Sequence, residues 1–223
     1  MFDRIVKYEN RMASQTDLSP RAARTRAALI SAGFDLLVDR PIDAIPIDDI
    51  VAAAGVAKGS FFNHFTDKQD FAVAIATEVR AELEHLVAEA NGSVSDPVER
   101  IAGGMRVGLE FAIKQPKRSM ALLRSLGSPT MREHPLNEGL RTDIDAAAAR
   151  GLVRPEATRL GVLYWLGLCQ VLMMSALDRR TPARDVGQRL ADMLVLGLTG
   201  LGIPPKRAAE LARANAFGGK RSG

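Results

Sequence analysis

The sequence predicts an all-α protein, with a three-helix helix-turn-helix domain at the N-terminus and a larger helical domain after it. Three observations carry that reading. Hydrophobic residues make up 47% of the 223 residues but aromatics only 5%, and the prominence of Ala and Leu favours helix over sheet. Apolar residues recur at three- and four-residue spacings through most segments, the period of a helix face. Finally, residues 47–68 divide into two short helices about a glycine-containing turn.

In chain order, residues 1–18 mix charges without a clear period and read as a mobile arm. Ser19 and Pro20 supply a cap and a proline at the first helical position. The helix that follows, to Asp39, carries Ala27, Ile30, Phe34 and Leu37 on one face. A second helix over residues 47–54 carries Ile50, Val51 and Ala54 at helical spacing. Gly55 then provides a residue able to take positive φ, and Val56 plugs the turn. Lys58 to Phe65 resumes the period, with Phe61 and Phe65 four residues apart on the buried side.

A helix, a turn of about three residues and a second short helix is the helix-turn-helix pattern. At about 100° per residue, Gly59, Ser60 and Asn63 project away from the two phenylalanines, with Phe62 and His64 on the flanks. Such a face is small, uncharged and able to hydrogen-bond base edges. Eight residues predict a helix of roughly 12 Å, about the width of the DNA major groove. The same pattern also suits a helix that merely faces solvent.

Residues 20–75 resemble the DNA-binding domain of the TetR family of transcriptional repressors. The likeness rests on Thr25-Arg26 with Leu29, Ile30 and Ala32 in the first helix and on Asp48-Asp49-Ile50 opening the second. It continues in the unbroken run from Ala53 to Phe65, followed by Lys68. The resemblance implies that Lys58, Gly59, Ser60, Phe62, Asn63 and His64 face DNA, with Thr25 and Lys68 on phosphates. Three positions depart from the pattern. Ile42 stands where an aromatic is common, and Ile45-Pro46 where Thr or Ser would cap the second helix, a loss of about 1 kcal/mol. Phe62 replaces a frequent Tyr, so apolar contact is expected there in place of a hydrogen bond.

Thr66 and Gln69 fit a capping box that opens a long connecting helix to about Ala90, which joins the DNA-reading unit to the rest. Asn91-Gly92-Ser93 ends it. Asp96-Pro97 opens the next helix, to about Lys114, and a short helix over residues 117–126 precedes a loop over residues 127–131. Another helix is predicted over residues 132–150, ending at Gly151. The stretch 151–156 is similar to the linker that many TetR-family members carry before their last two long helices. That pair is predicted over residues 155–178 and 183–201, the second striped by Val186, Leu190, Met193, Leu194 and Leu201. Pro204-Pro205 stops it, and a short helix to about Phe217 precedes a flexible tail, 218–223. The domains predicted are therefore 1–18 arm, 19–66 helix-turn-helix, 67–91 connecting helix and 92–217 effector-binding and dimerisation domain.

Charge gives little guidance by amount. The net charge is +4, and residues 20–70 hold six Lys and Arg against seven Asp. Placement matters more, since Arg21, Arg24 and Arg26 start the first helix while Lys58 and Lys68 flank the recognition helix. The single cysteine, Cys169, precludes an intrachain disulfide and suits a reducing interior. With no apolar leader run, a cytoplasmic protein is expected. Residues 161–177 form the longest apolar run, at the short limit for a membrane helix and interrupted by Gln170, so a buried helix is expected there and no membrane span.

Catalytic and metal-binding readings find no support. His64, His85 and His134 are scattered, no His or Cys spacing matches a zinc site, and Cys169 lacks a basic neighbour. Gly197, Gly200 and Gly202 follow no strand and precede no Lys-Ser/Thr, so they are no phosphate loop. Asp48 and Asp49 suit the positive end of their helix. No cofactor is expected, and the chain is read as no enzyme.

The function expected is a ligand-responsive transcriptional regulator, a repressor bound as a homodimer to a palindromic double-stranded DNA operator. Dimerisation is expected through the helices near 155–178 and 183–201, two copies packing as a four-helix bundle. Met105, Phe111, Met120, Trp165, Cys169, Met173 and Met174 are candidates to converge into a pocket for an apolar or amphipathic effector, though such residues at helical spacing are more often plain core. The alternative function is a helical binding or adaptor protein whose helix-turn-helix has lost DNA.

Overall fold

In the computed structural model, which describes residues 19–124, 132, 134–178, 180 and 182–216, the described chain forms ten α-helices and two 3-10 turns with no strand. The helices are α1 Pro20–Asp39, α2 Ile47–Ala54, α3 Lys58–Phe62, α4 Lys68–Ala90 and α5 Pro97–Lys114. They continue as α6 Pro116–Arg124, α7 Glu138–Ala149, α8 Ala157–Leu177, α9 Ala183–Gly200 and α10 Pro205–Ala214. The arm at 1–18, the loop at 127–131 and the tail at 218–223 lie outside the described residues.

Local chemistry explains most boundaries. The Ser19 hydroxyl accepts from the Ala22 amide at 3.3 Å, and Asp96 accepts from Val98 and Glu99 at 2.9 and 3.0 Å, so both cap-plus-proline starts hold. Pro46 precedes α2 without a side-chain cap. The start of α4 differs from expectation by one residue. Asp67, not Thr66, is the cap, accepting from Asp70 at 2.8 Å. The Asp70 carboxylate then reaches back to the amide and hydroxyl of Thr66 at 2.8 and 3.1 Å. Gln69 turns away to Asp43, 2.6 Å off. A shorter acid satisfies the free amides here, so the reciprocal box slides along the chain.

The helix expected over 132–150 is shorter, beginning as a 3-10 turn at Pro135–Asn137 and continuing as α7. Proline at the head of that turn lacks the amide needed to extend the helix backwards.

Three buried clusters organise the fold. The first joins α1, α2 and α3 to the front half of α4 through Leu29, Leu37, Ile50, Phe61, Phe65, Phe71 and Ile75, and takes in Ala121 of α6. Gly33 sits where α1 crosses α4, and a methyl there would lie 2.4 Å from the Ile75 Cδ1 and 2.7 Å from the Phe71 ring, so any larger residue forces those side chains to shift. The second cluster packs the rear half of α4 on α5, α6 and α8 through Val79, Leu83, Phe111, Leu122 and Met173. The third and largest lies among α5, α7, α8, α9 and α10, around Met105, Trp165, Leu190 and Leu198. Helix α4 thus belongs to two cores at once, and α6 bridges them.

One charged pair is set into this second domain. Arg80 lies 2.6 Å from Glu84 and donates to Asn137 at 3.2 Å. Burial raises the Glu84 pKa against the pull of Arg80.

Helix α8 is long and apolar enough to cross a bilayer by length and composition, and it is two-faced. Val162, Trp165, Leu166, Leu172 and Met173 are buried, whereas Leu160, Leu163, Val171 and Met174 are more than half exposed. Among the described residues, Leu196 on α9 is the most exposed of the large apolar ones.

Candidate nucleic-acid interface

The interface is built from the turn outward. Gly55 takes φ 66°, ψ 32°, a left-handed conformation open to glycine at little cost. The turn closes with Val56 N–H donating to Val51 at 3.0 Å. Helix α3 then begins at Lys58 without a side-chain cap.

Phe61 is fully buried and holds α3 from behind. Its ring centroid lies 5.4 Å from Phe65 and 5.5 Å from Phe71, and Phe65 meets Phe71 edge-on at 4.9 Å. Such contacts add to the apolar burial of each ring.

Helix α3 ends at Phe62, three residues sooner than the expected Phe65, a length of roughly 7.5 Å at 1.5 Å per residue. The chain tightens after it: His64 N–H donates to Phe61 at 3.0 Å, and Phe65 N–H to the same carbonyl at 2.9 Å. This tightening turns the Phe65 ring inward to Phe71. Asn63 keeps a right-handed helical backbone at φ −71°, ψ −21°, so its side chain stays exposed beside Gly59 and Phe62 despite the shorter helix.

That face falls where the spacing placed it. Lys58, Gly59, Phe62 and Asn63 are exposed, while Ser60 and His64 are half-buried at its edge. Gly59 has nothing within 4 Å of where a Cβ would stand, leaving the backbone accessible to a close surface. Phe62 is 52% exposed although its edge touches Phe61 at 5.4 Å.

The cations around this face are already engaged, which the sequence did not reveal. Lys58 Nζ lies 2.8 Å from Asp48 of α2. Lys68 Nζ donates to the Asp43 carbonyl at 2.9 Å, and Arg40 pairs with Asp49 at 2.9 Å. The Thr25 hydroxyl donates to the Arg21 carbonyl at 3.1 Å. Asp48 and Asp49 therefore act as ion-pair partners besides opening α2. These links are exposed or half-exposed and cheap to exchange, so a phosphate arriving at Lys58 or Lys68 replaces an existing partner. Asp43 was missed for lack of a local signal, since it meets Lys68 across 25 residues.

The effector candidates divide between two clusters. Met105, Trp165 and Cys169 lie in or against the largest core, whereas Phe111 and Met173 belong to the α4–α5–α6–α8 cluster. Met120 is half-buried. Met174 is 58% exposed and points away from both, because α8 turns it onto the outer stripe. Burial pushes the Cys169 thiol up to about 12, so the side chain is an inert apolar filler.

The architecture is thus a helix-turn-helix unit carried on a helix shared with a larger all-α domain. Residues 29–75 match the family model described as bacterial regulatory proteins, tetR family. That match covers the helix-turn-helix unit and the start of α4, so this N-terminal unit is a TetR-type domain. It is 30% identical over 111 residues to the transcriptional regulator AcuR of Cereibacter sphaeroides, covering 49% of this chain and 50% of AcuR. It is 34% identical over 80 residues to the transcriptional repressor DhaR of a Mycobacterium species, covering 35% of this chain and 40% of DhaR. These alignments span half or less of the relatives' own length. A solved gamma-butyrolactone receptor described as ArpA-like is 25% identical, with a TM-score of 0.57 over 87% of this chain and 98% of the receptor.

Proposed function

We propose that the chain is a ligand-responsive transcriptional repressor that binds a palindromic DNA operator as a homodimer and is released by a small-molecule effector. The observation that carries the reading is the α3 face, with Gly59, Phe62, Asn63 and Lys58 exposed above a rigid Phe61–Phe65–Phe71 anchor. Ser60, Asn63 and His64 offer hydrogen bonds to base edges, and Phe62 offers an apolar edge to a thymine methyl. Lys68 and Thr25 stand on either side as phosphate contacts.

A dimer is required because two such helices must lie about 34 Å apart to meet successive major grooves. The outer stripe of α8, with Leu160, Leu163, Val171 and Met174, together with Leu196 of α9, supports a second copy as its occupant. Burying these side chains is worth about 25 cal/mol per Å², and the two helices from each copy complete a four-helix bundle.

The effector is assigned to the interior near Met105, Phe111, Met120, Trp165, Cys169 and Met173, where adaptable side chains from two clusters adjoin. The likeness to a protein described as a gamma-butyrolactone receptor supports a small organic molecule. Helix α4, shared between cores, would carry the change to α3. Allosteric coupling of about 1–3 kcal/mol relieves DNA binding some 5- to 150-fold.

The test is a nuclease footprint on the DNA flanking the encoding gene. A protected palindrome is expected. A purified dimer that protects nothing at moderate salt would instead identify a helical adaptor with a vestigial reading head.

A further inference from the structure

A groove of about 400 Å³ runs along the seam between the helix-turn-helix domain and the helical domain. Its wall is α1, where Ala23, Ala27 and Ser31 recur every four residues and leave a shallow channel over two turns, with Ile30 and Phe34 beside it. The opposite wall is Glu78 of α4 and Arg118 of α6. Clefts of this size at domain boundaries are common places for small ligands.

Two guanidinium groups enter the groove from different bodies, Arg26 from the helix-turn-helix domain and Arg118 from the helical domain. Glu78 lies between them at 4.0 and 3.8 Å, beyond hydrogen-bond reach of either. Arg118 is otherwise firmly placed. One nitrogen reaches Glu82 at 2.6 Å, its plane lies 4.5 Å over the Phe34 ring, and its Nε is buried without a partner. Arg26 lies 5.6 Å over the Phe65 ring. Both forks thus lie over aromatic rings, and Glu78, the one lining carboxylate shared by the two, is only 44% exposed and hydrogen-bonds neither, while Glu82 holds Arg118 from its other side.

We propose that this groove binds a small carboxylate with a flat apolar body. The carboxylate takes the place between Arg26 and Arg118 that Glu78 fills only at a distance, and Glu78 turns to solvent. A planar guanidinium matches a planar carboxylate with paired donors, which a neutral or cationic ligand cannot use. The apolar body lies along Ala23 and Ala27 against Ile30, where the missing side-chain volume leaves room. The site is separate from the interior methionines assigned to the effector, and its existence does not depend on DNA binding.

The experiment titrates sodium benzoate into the full-length protein labelled at alanine and isoleucine methyl groups, at constant ionic strength, with benzyl alcohol as the neutral control. Saturable movement of the Ala23, Ala27 and Ile30 signals by benzoate but not by the alcohol is expected. Ala27→Leu fills the channel on an exposed helix surface while leaving both guanidiniums in place, and should weaken benzoate at least about tenfold with the fold intact. Arg26→Gln should weaken it similarly, by loss of a charge-assisted pair. Equal response to the alcohol, signals that move only around the interior clusters, or undiminished binding to Ala27→Leu would each overturn the site, as would the absence of saturation.

Discussion

Lys58 Nζ lies 2.8 Å from the Asp48 carboxylate, so the first cation of α3 is held by the helix that precedes the turn. The pair is well exposed, with side-chain exposures of 59% and 69%, and contributes little to stability. Its consequence falls on DNA. In the proposed complex a phosphate would compete with Asp48 for Lys58, and Asp48 itself would repel the duplex.

Asp48→Asn removes both effects. Stability should change by less than about 1 kcal/mol, while affinity for DNA should rise a few-fold. The plot of log affinity against log salt should steepen by about one unit, the release expected for one more phosphate contact. Fluorescence anisotropy at three or more salt concentrations measures both quantities. An unchanged slope would mean that Lys58 makes no phosphate contact.

Asn63 and Lys68 should separate by the kind of loss they cause. Asn63→Ala, on the exposed face, should relax base preference and cost about 1–3 kcal/mol on the preferred operator only. Lys68→Ala, on the flank where Nζ now meets the Asp43 carbonyl, should weaken all sequences alike and flatten the salt dependence. Competition with scrambled duplex distinguishes the two. If both variants lose affinity uniformly, Asn63 reads no base.

The outer stripe of α8 should respond to charge. Leu163→Arg places a cation among Leu160, Val171 and Met174, at a position already half exposed in one copy. Helix content should be kept, and dimer affinity should fall by about a hundredfold or more, since each copy would bury an unpaired charge. Light scattering after size exclusion gives the mass directly. A dimer of undiminished strength would move the interface elsewhere.

Asp96 should show a stability effect that depends on acid. Burial pulls its pKa up, but the amides of Glu99 and Val98 and the guanidinium of Arg207, 2.7 Å away, prevail and hold it below the usual 3.8. A carboxylate whose pKa is lower in the folded state adds stability above its unfolded value and loses it as pH falls through the folded one. Asp96→Ala should therefore cost about 1 kcal/mol or somewhat more at pH 7, and the difference from the parent should shrink below about pH 4. Urea melts at pH 7 and pH 3 compare the two.

Much of the fold was legible in the chain because its signals are local. Ser19-Pro20, Asp96-Pro97, Gly55 and Gly151 each act through their own backbone, and α1, α4, α5, α8 and α9 follow the apolar period to within two residues or so. The outward side of α3 was legible in part for the same reason: once Phe61 and Phe65 fix the inside, helix geometry turns Gly59 and Asn63 outward, whereas Ser60 is half-buried.

Long-range pairing was not legible. No spacing rule couples Asp43 to Lys68 or Asp48 to Lys58, and none foretells that α4 serves two cores or that Arg26 and Arg118 face each other across a seam. The capping box slid by one residue because Asp67 takes the Asp70 amide while Asp70 takes the Thr66 amide, leaving Gln69 to Asp43. Met173 turned inward and Met174 outward because the rotation of α8 is set by which neighbours bury Trp165 and Leu172. The sequence by itself determined the order of the helices, most of their ends and the outward side of α3, which depend on nearest neighbours along the chain, although α3 and α7 came out shorter than their periodicity implies. Only the tertiary structure decided which charges meet, which face of α8 stays bare and where a groove opens, because those follow from the packing of whole helices against one another.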